Sequence, residues 1–171
     1  MFTHAIVRLP CPEMTRGITS ASLGKPDFTK AMEQHHAYVE ALQSCGLKVE
    51  VLEADSRYPD SVFVEDVALC TPACAIVTNP GAPSRNGEKL EILPVLKNYF
   101  IHVETIEAPG TLDAGDVMMV GTHFYIGISR RTIRDGAQQL GAILKDYGMS
   151  ASPVSLKDML HLMSGLSYLE Q

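Results

Sequence analysis

The sequence has 171 residues, 46% hydrophobic and 20% charged, enough apolar material for a sizeable core and too apolar for a disordered chain. Lys and Arg number 14 against 20 Asp and Glu, a net charge of −6 that excludes a broad cationic surface for nucleic acid or an anionic membrane. Cys11, Cys45, Cys70 and Cys74 are too few and too irregularly spaced for a disulfide scaffold, and no run approaches the roughly 20 apolar residues of a membrane span, so a reducing cytoplasm is the expected setting.

The chain opens on a strand, HAIVRL at 4–9, expected to pair with material outside these residues. A Gly-containing loop, TRGITSASLGK, leads to a helix capped by Asp27 and Gly46. Phe28, Ala31, Met32, His35, Val39 and Leu42 form its inward stripe by the three-and-four spacing of a packed helix. LKVEVL then reads as a strand. Residues 62–70, VFVEDVALC, and 74–78, CAIVT, read as a strand pair joined at 71–73, followed by a turn-rich loop, NPGAPSRNG. EKLEILPVLKNYF suits a helix that Pro94 begins or bends in its second half, and IHVETI closes a β-β-α-β unit.

The same grammar returns at DVMMV, 116–120, which turns at Gly121-Thr122 into HFYIGI at 123–128. A helix over TIRDGAQQLGAILKDYG follows, with Thr132 and Asp135 spaced as a capping box and Gly148 suited to the far cap. Its inward stripe is Ile133, Ala137, Leu140, Leu144 and Tyr147, and SASPV closes the second unit. Asp66 and Asp116, 50 residues apart, mark the period. Complete repeats are thus expected at 62–106 and 115–155, with a third beginning near 164–169. The whole of 1–171 reads as one incomplete domain, because repeats bury their faces only against neighbours. GxGxxG and P-loop motifs are absent, which disfavours a nucleotide-binding sheet.

Polar residues inside apolar runs carry the chemical signal. Glu65 and Asp66 interrupt a strand-like run and, as strand neighbours, would face opposite sides; either a ligand or an internal arginine would balance them. Asp113 and Asp116 bracket Ala114-Gly115 at the corresponding place in the next unit. Asp113 is read as orienting a histidine or capping a turn. His161, in MLHLMSGLSYL, is either an acid/base or a buried structural imidazole. Arg85 and Arg131 follow the two strand pairs and are read as a pair for a carboxylate or as surface ion-pair partners. No HxH, HExxH or CxxC metal signature is present.

HAIVRLP, GITSASLGKPDF, PDSVFVEDVALC, NPGAPSR, APGTLDAGDVMMVG, HFYIGISRRT and HLMSGLSYLE, taken in this order, resemble the bacterial dimethylarginine dimethylaminohydrolases of the guanidine-modifying pentein superfamily. The resemblance implies a five-unit α/β propeller of ββαβ units, present here in part. It implies hydrolysis of Nω-methylated or Nω,Nω-dimethylated L-arginine to citrulline and methylamine or dimethylamine, without a cofactor. By that resemblance Asp66 binds the guanidinium and Glu65 lines the surrounding network. Asp60 receives the α-amino group, Arg85 and Arg131 the carboxylate, and Ile18 sits on a lid. His161 is the acid/base and Asp113 the third catalytic member, where the family has Glu, so the carboxylate arm is one methylene shorter.

The family's nucleophilic cysteine has no counterpart among the four here, so the 171 residues alone are expected to be inactive. Met163, where arginine deiminases resemble HxD, favours a methylarginine hydrolase over deimination. An amidinotransferase, a nonenzymatic guanidine-binding protein and an assembly fragment are the other readings. A homodimer or a complementary C-terminal fragment is the partner left open.

Overall fold

The computed structural model describes residues 2–169; Met1, Glu170 and Gln171, at the ends of the expected domain, lie outside them. The chain divides into two compact units, Met1–Val64 and Glu65–Gln171.

In the first unit, β1 (His4–Arg8) and β2 (Lys48–Leu52) pair in parallel, His4 opposite Lys48 and Arg8 opposite Leu52. The strand expected to pair outside these residues therefore has its partner 44 positions along the same chain. Parallel pairing needs a long crossover, and α1 (Phe28–Ser44) supplies it. Asp27 accepts the Lys30 N–H at 3.0 Å as N-cap, and Gly46 turns the chain away at φ +84°, a conformation that costs residues with a Cβ. All six expected stripe residues are at least half-buried, while the intervening positions on α1 are exposed.

The second unit contains two sheets of identical order. β3 (Ala68–Cys70) runs antiparallel to β4 (Ala75–Val77), which runs parallel to β5 (Val103–Thr105), with α2 (Glu88–Leu96) in the crossover. β6 (Val117–Val120), β7 (His123–Ile128) and β8 (Ser150–Ser155) repeat the arrangement with α3 (Arg134–Asp146). Val120 pairs with His123 across the two-residue turn at Gly121, whose φ is +60°. Ile76, Ile106, Leu112, Phe124, Ile126, Leu140 and Leu144 are buried together in one core against which both sheets and α3 pack.

Three local expectations change. Residues 62–70 do not form one strand, because Val64–Val67 is a 3-10 turn, as is Ala114–Asp116 before β6. Thr78 holds the first turn, its Oγ donating to the Asp66 carbonyl at 2.7 Å and its N–H to the Val67 carbonyl at 3.1 Å. Asp66 and Asp116 therefore sit in turns instead of within strands, and Glu65 and Asp66 are not opposed across a sheet. The Thr132/Asp135 capping box is also absent: the N-cap of α3 is Ile133, whose N–H donates to the Thr111 carbonyl at 3.1 Å. Thr132 is fully buried and bonded elsewhere, and Asp135 accepts from Gln139 at 2.7 Å. Beyond His161 the described residues form a short 3-10 turn, Leu162–Ser164, and 165–169, the expected start of a third unit, carry no strand. No helix among them is long and apolar enough to cross a membrane.

Candidate active site

The two 3-10 turns and the segment at 161 bring three polar residues together. One ligand-type atom from each of Asp66, Asp113 and His161 lies within 4.8 Å of the others. His161 directs Nε2 at Asp66 Oδ1, 3.7 Å away, and at Asp113 Oδ2, 3.9 Å away. Its other nitrogen, Nδ1, faces Asp116 Oδ1 at 3.5 Å. Gly115 makes this approach feasible: a Cβ there would stand 2.8 Å from Asp66 Oδ1 and 3.2 Å from the imidazole ring.

Each carboxylate has its own supports. Asp113 is wholly buried; its Oδ1 accepts the Gly81 N–H at 2.8 Å, and its own N–H donates to Thr132 Oγ at 3.1 Å. Oδ2 makes no hydrogen bond and has Arg131 Nη1 at 3.6 Å. Burial and then the neighbouring Asp66 charge push the Asp113 carboxyl above the usual carboxylate range, against the pull of the Gly81 N–H, His161 and Arg131. Asp116 goes the other way. Burial opposes its charge, but His161, Ser129, Thr132 and the Leu162 N–H together hold it below the ordinary value. Glu65 is raised, by burial first and by Asp66 second.

Arg85 is enclosed. Its Nε and Nη2 donate to the two Glu88 oxygens at 2.9 and 2.8 Å, and Nη1 donates to Asp66 Oδ2. Burial disfavours its charge, yet Glu88 and Asp66 more than offset this and raise its pKa. The fork expected to receive a ligand carboxylate is thus turned onto protein carboxylates, because Glu88 lies one turn along the chain and matches both arms. Arg131 is less committed, with 16% of its side chain exposed. The arginines supply partial counter-charge, Arg85 to Asp66 and Arg131 to Asp113.

His161 has three carboxylates around its ring. Burial alone would lower its pKa, but Asp116, Asp66 and Asp113 more than offset this and raise it above the ordinary imidazole value. Asp60 and Ile18 belong to the first unit: Asp60 is buried and its two oxygens accept the Ile18 N–H at 3.0 and 3.2 Å, while the Ile18 side chain is half exposed. Among the described residues no cysteine sulfur joins the Asp66, Asp113 and His161 group, and burial pushes the Cys11, Cys70 and Cys74 thiols up from the ordinary thiol value.

Sequence reasoning missed Glu88, Ser129, Thr132, Gly115 and the contact of Asp116 with His161. The recurrence of an acidic residue at 66 and 116 was the available signal for Asp116. Nothing local marks Glu88, which reads as an ordinary first-turn helix carboxylate.

This geometry and the paired sheets define an incomplete pentein-type α/β fold. A family model described as "N,N dimethylarginine dimethylhydrolase, eukaryotic" matches residues 24–158. The chain is 54% identical to the N(G),N(G)-dimethylarginine dimethylaminohydrolase of Pseudomonas aeruginosa over 99% of its own length and 67% of that protein. The corresponding Streptomyces coelicolor enzyme is 37% identical over 96% of this chain and 64% of the relative. The structure of the Pseudomonas enzyme as a cysteine-to-serine mutant complexed with citrulline superimposes with a TM-score of 0.98. The chain therefore belongs to the dimethylarginine dimethylaminohydrolase family, and it spans about two thirds of the length of these relatives.

Proposed function

We propose that this chain carries the guanidinium-binding and acid/base part of a hydrolase that converts Nω-methylated or Nω,Nω-dimethylated L-arginine to L-citrulline and methylamine or dimethylamine. The observation that carries the reading is His161 Nε2 set between Asp66 and Asp113, in a chain 54% identical to a dimethylarginine hydrolase whose mutant holds citrulline. Two carboxylates around one small volume suit a planar cation, and an imidazolium beside them suits an amine leaving group.

A cysteine thiolate from outside these residues adds to the guanidinium carbon. Collapse of the adduct breaks the bond to the methylated nitrogen, and His161 Nε2 gives that nitrogen its proton, leaving a thiouronium. The neutral imidazole then takes one proton from water, whose oxygen attacks the same carbon; the C–S bond breaks to release the thiolate, and the proton left on the new oxygen passes to solvent, giving citrulline. Asp66 and Asp113 offset the positive charge through both steps. Arg131, the more exposed arginine, receives the substrate carboxylate, whereas Arg85 acts through Asp66. Asp60 and Ile18 supply the α-amino contact and the lid, and the cytoplasm is the compartment.

The test uses a protein containing this chain and a nucleophilic cysteine. Citrulline and dimethylamine are expected in equal amounts by mass spectrometry; amidine transfer to an added amine without citrulline would overturn the assignment. The 171-residue chain by itself is expected to show no turnover.

A further inference from the structure

His161 is held at two places by one carboxylate. Asp116 Oδ1 accepts the N–H of Leu162, the next residue, at 3.0 Å and also faces His161 Nδ1 at 3.5 Å. Nδ1 is buried with no formed hydrogen bond, and an acceptor is what confronts it. Both ring nitrogens face carboxylates, but Nδ1 meets the nearest one, Asp116, which is held ionised, whereas Nε2 stands farther from Asp66 and from Asp113, whose carboxyl is pushed towards its neutral form, so the arrangement favours the tautomer with the proton on Nδ1. The carboxylate is itself fixed: Ser129 Oγ donates to Asp116 Oδ2 at 2.6 Å. Ser129 Oγ also accepts the N–H groups of Arg131 and Thr132, at 2.9 and 3.1 Å. One hydroxyl thus ties the carboxylate behind His161 to the loop bearing Arg131.

From this geometry we infer that Asp116, braced by Ser129, is the positioning residue of His161, fixing its ring by Nδ1 and its backbone by the Leu162 N–H so that Nε2 is presented to Asp66 and Asp113. Asp113, expected from the sequence to orient the imidazole, instead stands on the reacting side. The catalytic meaning rests on the proposed hydrolase; the placement of the proton does not. The charged groups facing the imidazole are Asp66, Asp113 and Asp116, with Glu65 nearby, Arg85 bonded to Asp66 and Arg131 beside Asp113.

The test is long-range proton-nitrogen NMR of the 171-residue chain with labelled histidine, titrated across neutral pH, with backbone amide spectra reporting folding. The native chain is expected to keep the Nδ1 proton when the imidazole becomes neutral. In Asp116→Asn the Nε2–H tautomer should grow and proton affinity should fall about tenfold or more, the effect of removing one charge at close range. Asp113→Asn should lower proton affinity while leaving the Nδ1–H tautomer in place. An unchanged tautomer and midpoint in folded Asp116→Asn would overturn the inference. Should that variant fail to fold, Ser129→Ala keeps the carboxylate and its Leu162 bond; faster Nδ1–H exchange is expected, and native exchange would overturn the inference. None of these readouts requires turnover, so a failure of methylarginine hydrolysis is seen separately.

Discussion

Arg85→Ala is expected to damage stability before it damages recognition. The guanidinium is 4% exposed and is bonded by both arms to Glu88 and by Nη1 to Asp66, which are themselves 4% and 7% exposed. Removing it leaves two buried carboxylates facing a void, and breaking a buried ion pair from one side costs about 3–5 kcal/mol. With a urea dependence of about 2–3 kcal/mol per molar for a chain of this size, the unfolding midpoint should fall by roughly 1–2 M. Part of that loss should return at low pH, where protonating the stranded carboxylates removes the penalty. Arg131→Ala is the comparison: its contact to Asp113 is longer, 3.6 Å, and the Asp113 carboxyl is already pushed towards its neutral form, so a smaller loss than for Arg85→Ala is expected. The measurement is urea unfolding of the native chain and both variants by circular dichroism at neutral and acidic pH. An Arg85→Ala midpoint within error of native would refute the claim that this arginine neutralises the buried carboxylates, and would return it to the role of a ligand anchor.

Gly115→Ala should leave folding nearly intact but displace Asp66 or the His161 ring, since the new methyl would meet them at 2.8 and 3.2 Å; turnover in a cysteine-containing protein should fall on the order of 100-fold, and native turnover would refute the close approach. Asp113→Glu lengthens a fully buried arm already anchored by the Gly81 N–H, so about 1–3 kcal/mol of destabilisation by overpacking is expected in thermal melts. The two perturbed histidines should act with opposite sign on stability. His161, raised when folded, contributes most below its unfolded value near 6.5, and that contribution disappears as pH climbs through the folded value, whereas His35, lowered by burial against a smaller Arg8 backbone contribution, favours the folded state above about 6.5 and loses it as pH falls. Chemical denaturation from pH 5 to 8 on His161→Gln and His35→Leu checks this, and slopes changing in the same direction would contradict it.

Much of the fold was legible from chain order. The stripe on α1, the caps at Asp27 and Gly46, the turn at Gly121 and the two β-β-α-β units follow from periodicity and turn chemistry, which act over a few residues and are written where they act. Asp66, Asp113, Arg131 and His161, which the structure brings close to one another, stood out in the sequence because charged groups placed inside apolar runs must find partners. Which partner each finds was settled by tertiary structure. VFVEDVALC has the alternation of a strand, yet the Thr78 hydroxyl and the buried charges draw residues 64–67 into a turn. Thr132 and Asp135 have the spacing of a capping box, yet Asp113, 19 positions earlier, takes the Thr132 oxygen. The placement of Asp113 and Asp116 against different nitrogens of His161 has the same origin. Both lie within three residues of Gly115 in sequence, and only the approach of residues 161–162 from 46 positions away determines which carboxylate meets Nδ1 and which meets Nε2. Local patterns state what a residue can bond; burial makes the bond obligatory, and the three-dimensional path of the chain selects the partner.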